Sequence, residues 1–216
     1  SEAADTIDLE IAAVDTKALG GQNTGDVIGS AVAGANAAAV LTTLQTITDA
    51  TNETLTVNQQ SVGNLSLATN VGDALATINA NVSGVEATAF VEMVATNAGN
   101  GIVRGSEIVT VTLDLQDGSQ NILQIRNTGS LKEFAERVNE LSGDSLNASI
   151  NDDGRLVLQS DAAAFVALTS TSANATAISA TGLVTADLTQ ALQLSFEATA
   201  DDVTGVDIAI GSTIDD

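Results

Sequence analysis

Apolar and polar residues alternate most regularly over residues 108–160 of the chain. Over Val109–Leu115, valine and leucine alternate with threonine and aspartate, which is the period of a half-buried strand. Asp117-Gly118 then favours a turn, because Gly accepts positive φ and Asp tolerates it. The alternation resumes over Ile122–Asn127, so the pattern predicts a β-hairpin.

A helix is predicted directly after this hairpin. Ser130-Leu131-Lys132-Glu133 has the form of a capping box, in which the Ser side chain accepts from the N–H of Glu133 and Glu133 reaches back. Gly143 stands where a helix end needs a residue in the left-handed conformation. The apolar positions between these ends recur at helical spacing and predict one buried face: Leu131, Phe134, Ala135, Val138 and Leu141.

Two more strands complete this unit. Leu146–Ile150 and Leu156–Leu158 alternate around the turn sequence Asn151–Gly154, which predicts a second hairpin. The order is therefore strand–strand–helix–strand–strand. A helix with one apolar face laid on a small sheet makes a complete α+β core.

An earlier stretch has the same order. Asn70–Ala80 is predicted as a helix with Asn70 as its N-cap and Asp73 three residues later. Its apolar face consists of Val71, Ala74, Leu75 and Ile78. Short strands are predicted before it at Leu55–Val57 and Leu65–Leu67, and a strand after it at Gly84–Phe90, which Val91–Ala95 either extends or pairs with. We therefore predict two copies of one unit, over 55–96 and 108–160, with Ile78 equivalent to Val138 and residues 97–104 as the link.

The remaining segments are predicted less sharply. Residues 20–34 are Gly-rich and loop-like, 35–50 form either a helix or a strand pair, and the chain loosens after Ser160. Strands are predicted at Ile7–Ile11, 177–183 (with a turn), Leu192–Ala198 and Val203–Ile210, the last pairing with the first.

The predicted fold class is α+β: small, mostly antiparallel sheets each packed by a helix, two repeated β-β-α-β(-β) units, and a β-rich remainder. Residues 1–54 plus 184–216 are predicted to form one discontinuous β-rich domain. Residues 55–183 form the distal region with both units.

Charge and composition restrict the partners. The chain has 28 acidic residues against six basic ones, a formal net charge of −22. Phosphate binding needs a positive patch, so we expect no nucleic-acid partner and no anionic membrane surface. No apolar run approaches the length of a membrane helix. Apolar residues make up 44% of the chain, which favours a folded protein over a disordered one.

The residues for common catalytic chemistry are scarce. The chain has no Cys and no His, so it lacks zinc ligands and a base for a Ser nucleophile. Adjacent acids on a strand point to opposite faces, so Asp152-Asp153, Asp201-Asp202 and Asp215-Asp216 form no facing pair by themselves. Asn151–Gly154 lacks the spacing of a calcium loop. We predict no enzyme, no cofactor, no metal and no catalytic residue.

The order of the pieces resembles the IN motif of bacterial flagellins and flagellar hook-associated proteins. In that motif a helix with Val-Asn or Ile-Asn near its end is followed by a hairpin of the form A-x-[IL]-x-D-x-G-[RK]-L-x-L. The matching residues are Val138-Asn139, Asn147–Ile150 and Asp153–Leu158, with Ile78-Asn79 in the first copy. Asp5–Ile11 and Ala18–Gly20 resemble the flagellin segment where the helical stalk meets the outer domains.

The resemblance implies the surface-exposed outer region of a flagellin, a structural filament protein that is extracellular and supports motility. The partners would be other flagellin subunits, joined through terminal helices that these 216 residues lack, and the fragment itself is expected to be a monomer. The missing start Met and the end at Asp216 suggest a piece of a longer chain. The alternatives are a hook-associated junction or cap protein, a secreted acidic adhesion or glycan-binding module, and an enzyme inserted in a filament protein.

Overall fold

The structure is a computed structural model that describes residues 27–28, 32–47, 54–171, 180–189, 192–199, 206 and 208–211. Its helices are α1 (Ala37–Ile47), α2 (Val71–Asn81), α3 (Leu131–Ser142) and α4 (Thr185–Thr189), with a 3-10 helix at Leu65–Leu67. The strands are β1 (Val27–Ile28), β2 (Thr54–Val57), β3 (Gln60–Ser61), β4 (Val85–Val94), β5 (Ile102–Val103), β6 (Val109–Leu115), β7 (Gln120–Ile125), β8 (Thr128–Gly129), β9 (Asn147–Ile150), β10 (Leu156–Ser160), β11 (Ala163–Ser170), β12 (Leu192–Ala198) and β13 (Ile208–Gly211).

The described strands form small antiparallel sheets. The largest has the order β1-β12-β4-β10-β9, and two three-stranded sheets have the orders β11-β6-β7 and β13-β2-β3. β5 pairs with β8 in a two-stranded sheet. With the helices packed against these strands, the chain is a β-rich α+β protein, which confirms the predicted fold class.

The two predicted units have the same connectivity. In the first, the hairpin β2–β3 leads to α2 and β4, and in the second, the hairpin β6–β7 leads to α3 and β9. In both units, two later strands complete the sheets. In the first unit, β12 pairs with β4 and β13 pairs with β2. In the second unit, β10 pairs with β9 and β11 pairs with β6 in the same way. The second unit therefore lies within the connection between β4 and β12 of the first. The two units meet where β10 pairs with the end of β4.

Each unit spreads over two sheets, which differs from the single small sheet predicted for it. The hairpin of each unit joins a later strand in a three-stranded sheet, whereas the strand after the helix lies in the five-stranded sheet. In the second unit α3 contacts both β7 and β9, so the helix packs between the two sheets. Its core position explains why Phe134 and Val138 have no exposed surface.

Several predictions are confirmed. α2 buries the four predicted residues, and Ile78 and Val138 occupy the same place in their helices. β6, β9, β10 and β12 lie where the alternation placed them, and 35–50 contains the helix α1 rather than a strand pair. Val91–Val94 extends β4 as one ten-residue strand.

Other predictions are wrong. Leu65–Leu67 is a 3-10 helix, because the Asn64 side chain accepts from the N–H of Ser66 and caps a helical turn. Leu141 is 43% exposed, and Ser142 is buried in its place. Gly143 has positive φ but a ψ of −127°, outside the left-handed helical region. The described residues directly after Ser160 are not loose, since β11 pairs with β6 from Ala163 to Ser170, with one register shift between Ala163 and Phe165.

Some predictions fall on the edge of the described residues. The predicted loop at 20–34 contains β1, which pairs with β12. The predicted strand at Ile7–Ile11 lies outside the described residues, so its pairing with the last strand stays a prediction; among the described residues, β13 pairs with β2. A strand with a turn was predicted at 177–183, of which the structure describes residues 180–183. Ala180 and Thr181 are helical there. The proposed domain boundaries remain a prediction.

Candidate functional site

The helix α3 holds one side chain of the IN motif against the neighbouring strand. Burial of Phe134 and Val138 fixes the rotation of the helix and turns the next residue, Asn139, toward β9. The Oδ1 atom of Asn139 accepts from the N–H of Ala148 at 2.6 Å, and its Nδ2 donates to the Ala148 carbonyl at 2.8 Å. We call this two-bond contact an asparagine clamp.

The first unit has an equivalent asparagine clamp. Asn79 follows the buried Ile78 in α2, as Asn139 follows Val138 in α3. Its Oδ1 accepts from the N–H of Ala87 at 2.7 Å, and its Nδ2 donates to the Ala87 carbonyl at 2.9 Å. The same residue type therefore binds the same two backbone groups of the strand that follows each helix.

Both helices also start alike. The side chains of Asn70 and Ser130 accept from the N–H groups three residues later. The carboxylate of that third residue, Asp73 or Glu133, accepts in return from the residue before the cap, at 3.0 and 2.6 Å. The capping box was predicted, but the returned bond goes to Gly129 rather than to Ser130 itself.

Gln116 joins the two units, and nothing in its sequence context predicted this role. It follows β6 at the hairpin turn, where its Nε2 donates to the carbonyls of Ala89 in β4 at 2.8 Å and of Asp161 at 2.9 Å. Its own carbonyl accepts from the N–H of Gly72 in α2. One amide side chain and one peptide group thus bind both units.

Of the candidate acids, the described pair Asp152-Asp153 lies in a turn. The Asn151 side chain accepts from the N–H groups of Asp153 and Arg155, which organises the turn. Asp201-Asp202 and Asp215-Asp216 lie outside the described residues. No group of three or more potential metal ligands comes together in the described part of the chain.

Two aspartates have their pKa lowered by hydrogen bonds. The Thr69 hydroxyl, and then the Thr69 N–H, hold the pKa of Asp73 below its ordinary value. The Ser119 hydroxyl and N–H do the same for the pKa of Asp117 in the hairpin turn. The Asp73 carboxylate thus stabilises the start of α2, and the Asp117 carboxylate stabilises the hairpin turn. Asp is typical of both positions.

The cleft beside β4 offers little chemistry. A cleft of about 630 Å³ runs beside β4 where β10 has ended, lined by residues that include Asn79, Phe90 and Gln116. Asp161 is the one titratable residue in its lining. Among the described helices, none is both long and apolar enough to cross a membrane.

Comparison with known proteins shows a likeness to a solved structure. No protein-family model and no curated protein matches the chain. Among solved structures, it is similar to the D1-D2-D3 domains of the flagellar cap protein FliD from Escherichia coli. The sequences are 15% identical, the match covers 81% of this chain and 62% of that chain, and the TM-score is 0.30. The chain thus spans less than two thirds of that FliD structure.

Proposed function

We propose that this chain is an extracellular structural part of the bacterial flagellum, with the outer region of a flagellin as the first candidate. The observation that carries the proposal is the equivalence of the two asparagine clamps. Ile78-Asn79 and Val138-Asn139, the residues that gave the IN resemblance, occupy the same place in two units of the same connectivity. If these two dipeptides resembled the IN motif only by chance, there would be no reason for them to occupy equivalent places in the two units.

The arrangement of polar groups supports a structural role. The side chains that make several hydrogen bonds, such as Asn79, Asn139 and Gln116, bind backbone groups of the protein itself. The described acids are spread over turns, strands and the helices α2, α3 and α4. Catalysis instead needs facing groups with separated pKa values in a cleft.

A hook-associated junction or cap protein is the second candidate, because the same motif occurs in those proteins. The two candidates differ in how many copies a filament contains. The resemblance of Asp5–Ile11 to the flagellin stalk junction favours flagellin.

An adhesion or glycan-binding module has less support. Such a module needs an exposed aromatic or contiguous apolar surface. Phe134, Phe165 and Phe196 are buried, and Phe90 is half-buried. The exposed large apolar residues in the described part lie on separate elements: Leu67, Val94, Ile122, Leu141 and Ile150.

Quantitative mass spectrometry of flagella sheared from the bacterium that encodes the chain tests the proposal. Peptides of this chain as the main component of the sheared filament would support flagellin. A minor, fixed fraction would support the junction or cap protein. Their absence from flagella, with the protein present elsewhere on the cell, would contradict the proposal.

A further inference from the structure

Apart from its end at β1, the five-stranded sheet has two stretches of strand edge without a neighbouring strand among the described residues. β9 is the last strand in the order, and β4 pairs with β10 only over Val91–Val94, which leaves one side of its first half open. An uncovered strand edge presents backbone N–H and C=O groups that another strand can bind. Proteins that stay apart therefore have to cover such edges.

At both edges a side-chain amide takes the place of the missing strand. The N–H and C=O of Ala148 both bind Asn139, so these groups point away from β10. Those of Ala87 both bind Asn79 and point away from β12. A primary amide offers an acceptor and a donor side by side, as a neighbouring peptide group does.

Further side chains extend the cover. The Ser142 hydroxyl donates to the Leu146 carbonyl at 2.7 Å, just before β9. Gln116 donates to the Ala89 carbonyl, two residues beyond the Ala87 clamp. Each edge is thus covered at more than one backbone group by side chains from outside the sheet.

We infer that Asn79 and Asn139 keep the sheet edges closed to strand addition, and that Asn139 blocks pairing of β9 with β9 of a second copy. This role goes beyond the proposed function and does not depend on it. A second copy fits the edge because Asn147–Ile150 carries no charge, and two antiparallel β9 edges are self-complementary about a two-fold axis. The net charge of −22 opposes this approach until salt screens it.

The substitution Asn139→Ala tests the inference, with Asn147→Ala as the matched control. Asn147 lies on the same strand, one residue before Ala148, and its side chain is exposed. Without the clamp, exchange of the Ala148 amide hydrogen should become about ten-fold faster or more. In high salt the variant should form a dimer with rising concentration in sedimentation velocity, while wild type and Asn147→Ala associate weakly at most.

Two results would overturn the inference for a folded Asn139→Ala protein. One is an unchanged exchange rate of the Ala148 amide. The other is a faster exchange rate without any association at high salt and high concentration. A merely structural role of Asn139 predicts lower stability of the Asn139→Ala protein but no new, salt-promoted dimer.

The wild-type protein provides a second test that holds even if the variant does not fold. Ile150 lies two residues beyond Ala148 and turns its backbone groups to the same side of β9, past the clamp. We expect the Ala148 and Ala87 amides to exchange much more slowly than that of Ile150. Equal rates at Ala148 and Ile150 would show that Asn139 does not close the edge.

Discussion

Phe134 is the residue whose packing matters most to α3, since its ring has no exposed surface. Phe134→Ala should lower the free energy of unfolding by about 3–5 kcal/mol, because it removes buried apolar atoms and leaves a cavity. Leu141→Ala on the same helix is the control and should cost less than about 1 kcal/mol, since Leu141 is 43% exposed. Urea denaturation of the three proteins measures both effects, and similar losses at the two positions would contradict the packing described.

The exposure of Leu141 shows the limit of helical spacing as a predictor. Successive residues turn by about 100° around a helix, which places Leu141 at the margin of the face centred near Val138. Ser142 lies nearer the centre, and its hydroxyl is satisfied by the Leu146 carbonyl. The hydrophobicity pattern therefore predicts that Leu141 is buried, whereas the helix geometry buries Ser142.

The carboxylate of Asp73 makes the stability of α2 depend on pH. The Thr69 hydroxyl and N–H lower its pKa in the folded state, so the unfolded chain binds the proton more readily. The stabilisation is therefore complete above the ordinary Asp pKa of about 4 and is lost as the pH falls through the lower, folded pKa. The free energy that Asp73→Asn costs should shrink as the pH falls from about 6 to about 2, and a pH-independent cost, measured by urea unfolding at each pH, would rule this out.

At the scale of elements, the sequence predicted those with one buried face. β6, β12, α2 and α3 have clear periods and were placed correctly. β11 was missed because Ala163–Val166 is buried on both faces and shows no alternation. The Gly-rich segment at 20–34 gave no signal for β1, whose two residues gain their pairing from β12.

The candidate site was predictable only in part. The motif placed Asn79 and Asn139 in equivalent positions, and the single signal for their role was an Asn directly after a buried residue in the last turns of each helix. The partners Ala87 and Ala148 depend on how the strand lies beside the helix. Gln116 had no signal, because its acceptors belong to segments far away in the sequence.

Gln116→Ala should weaken the connection between the units. It removes the bonds to Ala89 and Asp161 and should lower the free energy of unfolding by about 1–3 kcal/mol. Gln120→Ala in the same hairpin is the control, because its side chain bonds to Asp114 at the surface. In hydrogen exchange, the Gly72 amide should lose protection only in Gln116→Ala. Equal effects of both variants there would exclude a joining role for Gln116.

At the scale of the whole molecule, the insertion of one unit into the other could not be predicted from sequence. β4 pairs with β12 across the entire second unit, and β2 pairs with β13 from still further away. Local patterns identify strands but not their distant partners. Repetition of the unit was visible because it depends on local order alone.

The net charge leads to the prediction that the chain alone is a monomer. Like charges on two copies repel within a Debye length of about 8 Å at physiological salt, and few aromatic residues are exposed to form an interface core. Sedimentation velocity should give a monomer across a wide concentration range at low salt, with weak association at most when salt is raised. A stable dimer or ring at micromolar concentration in low salt would contradict this.

Immunogold electron microscopy of the bacterium that encodes the chain tests the central claim most directly. Antibodies raised against these residues should label intact flagella without permeabilisation, because the outer region of a flagellin would lie on the surface of the organelle. Labelling along the filament is expected for a flagellin, and labelling confined to the tip or the hook junction for the second candidate. Gold on the cell body with unlabelled flagella would contradict the account.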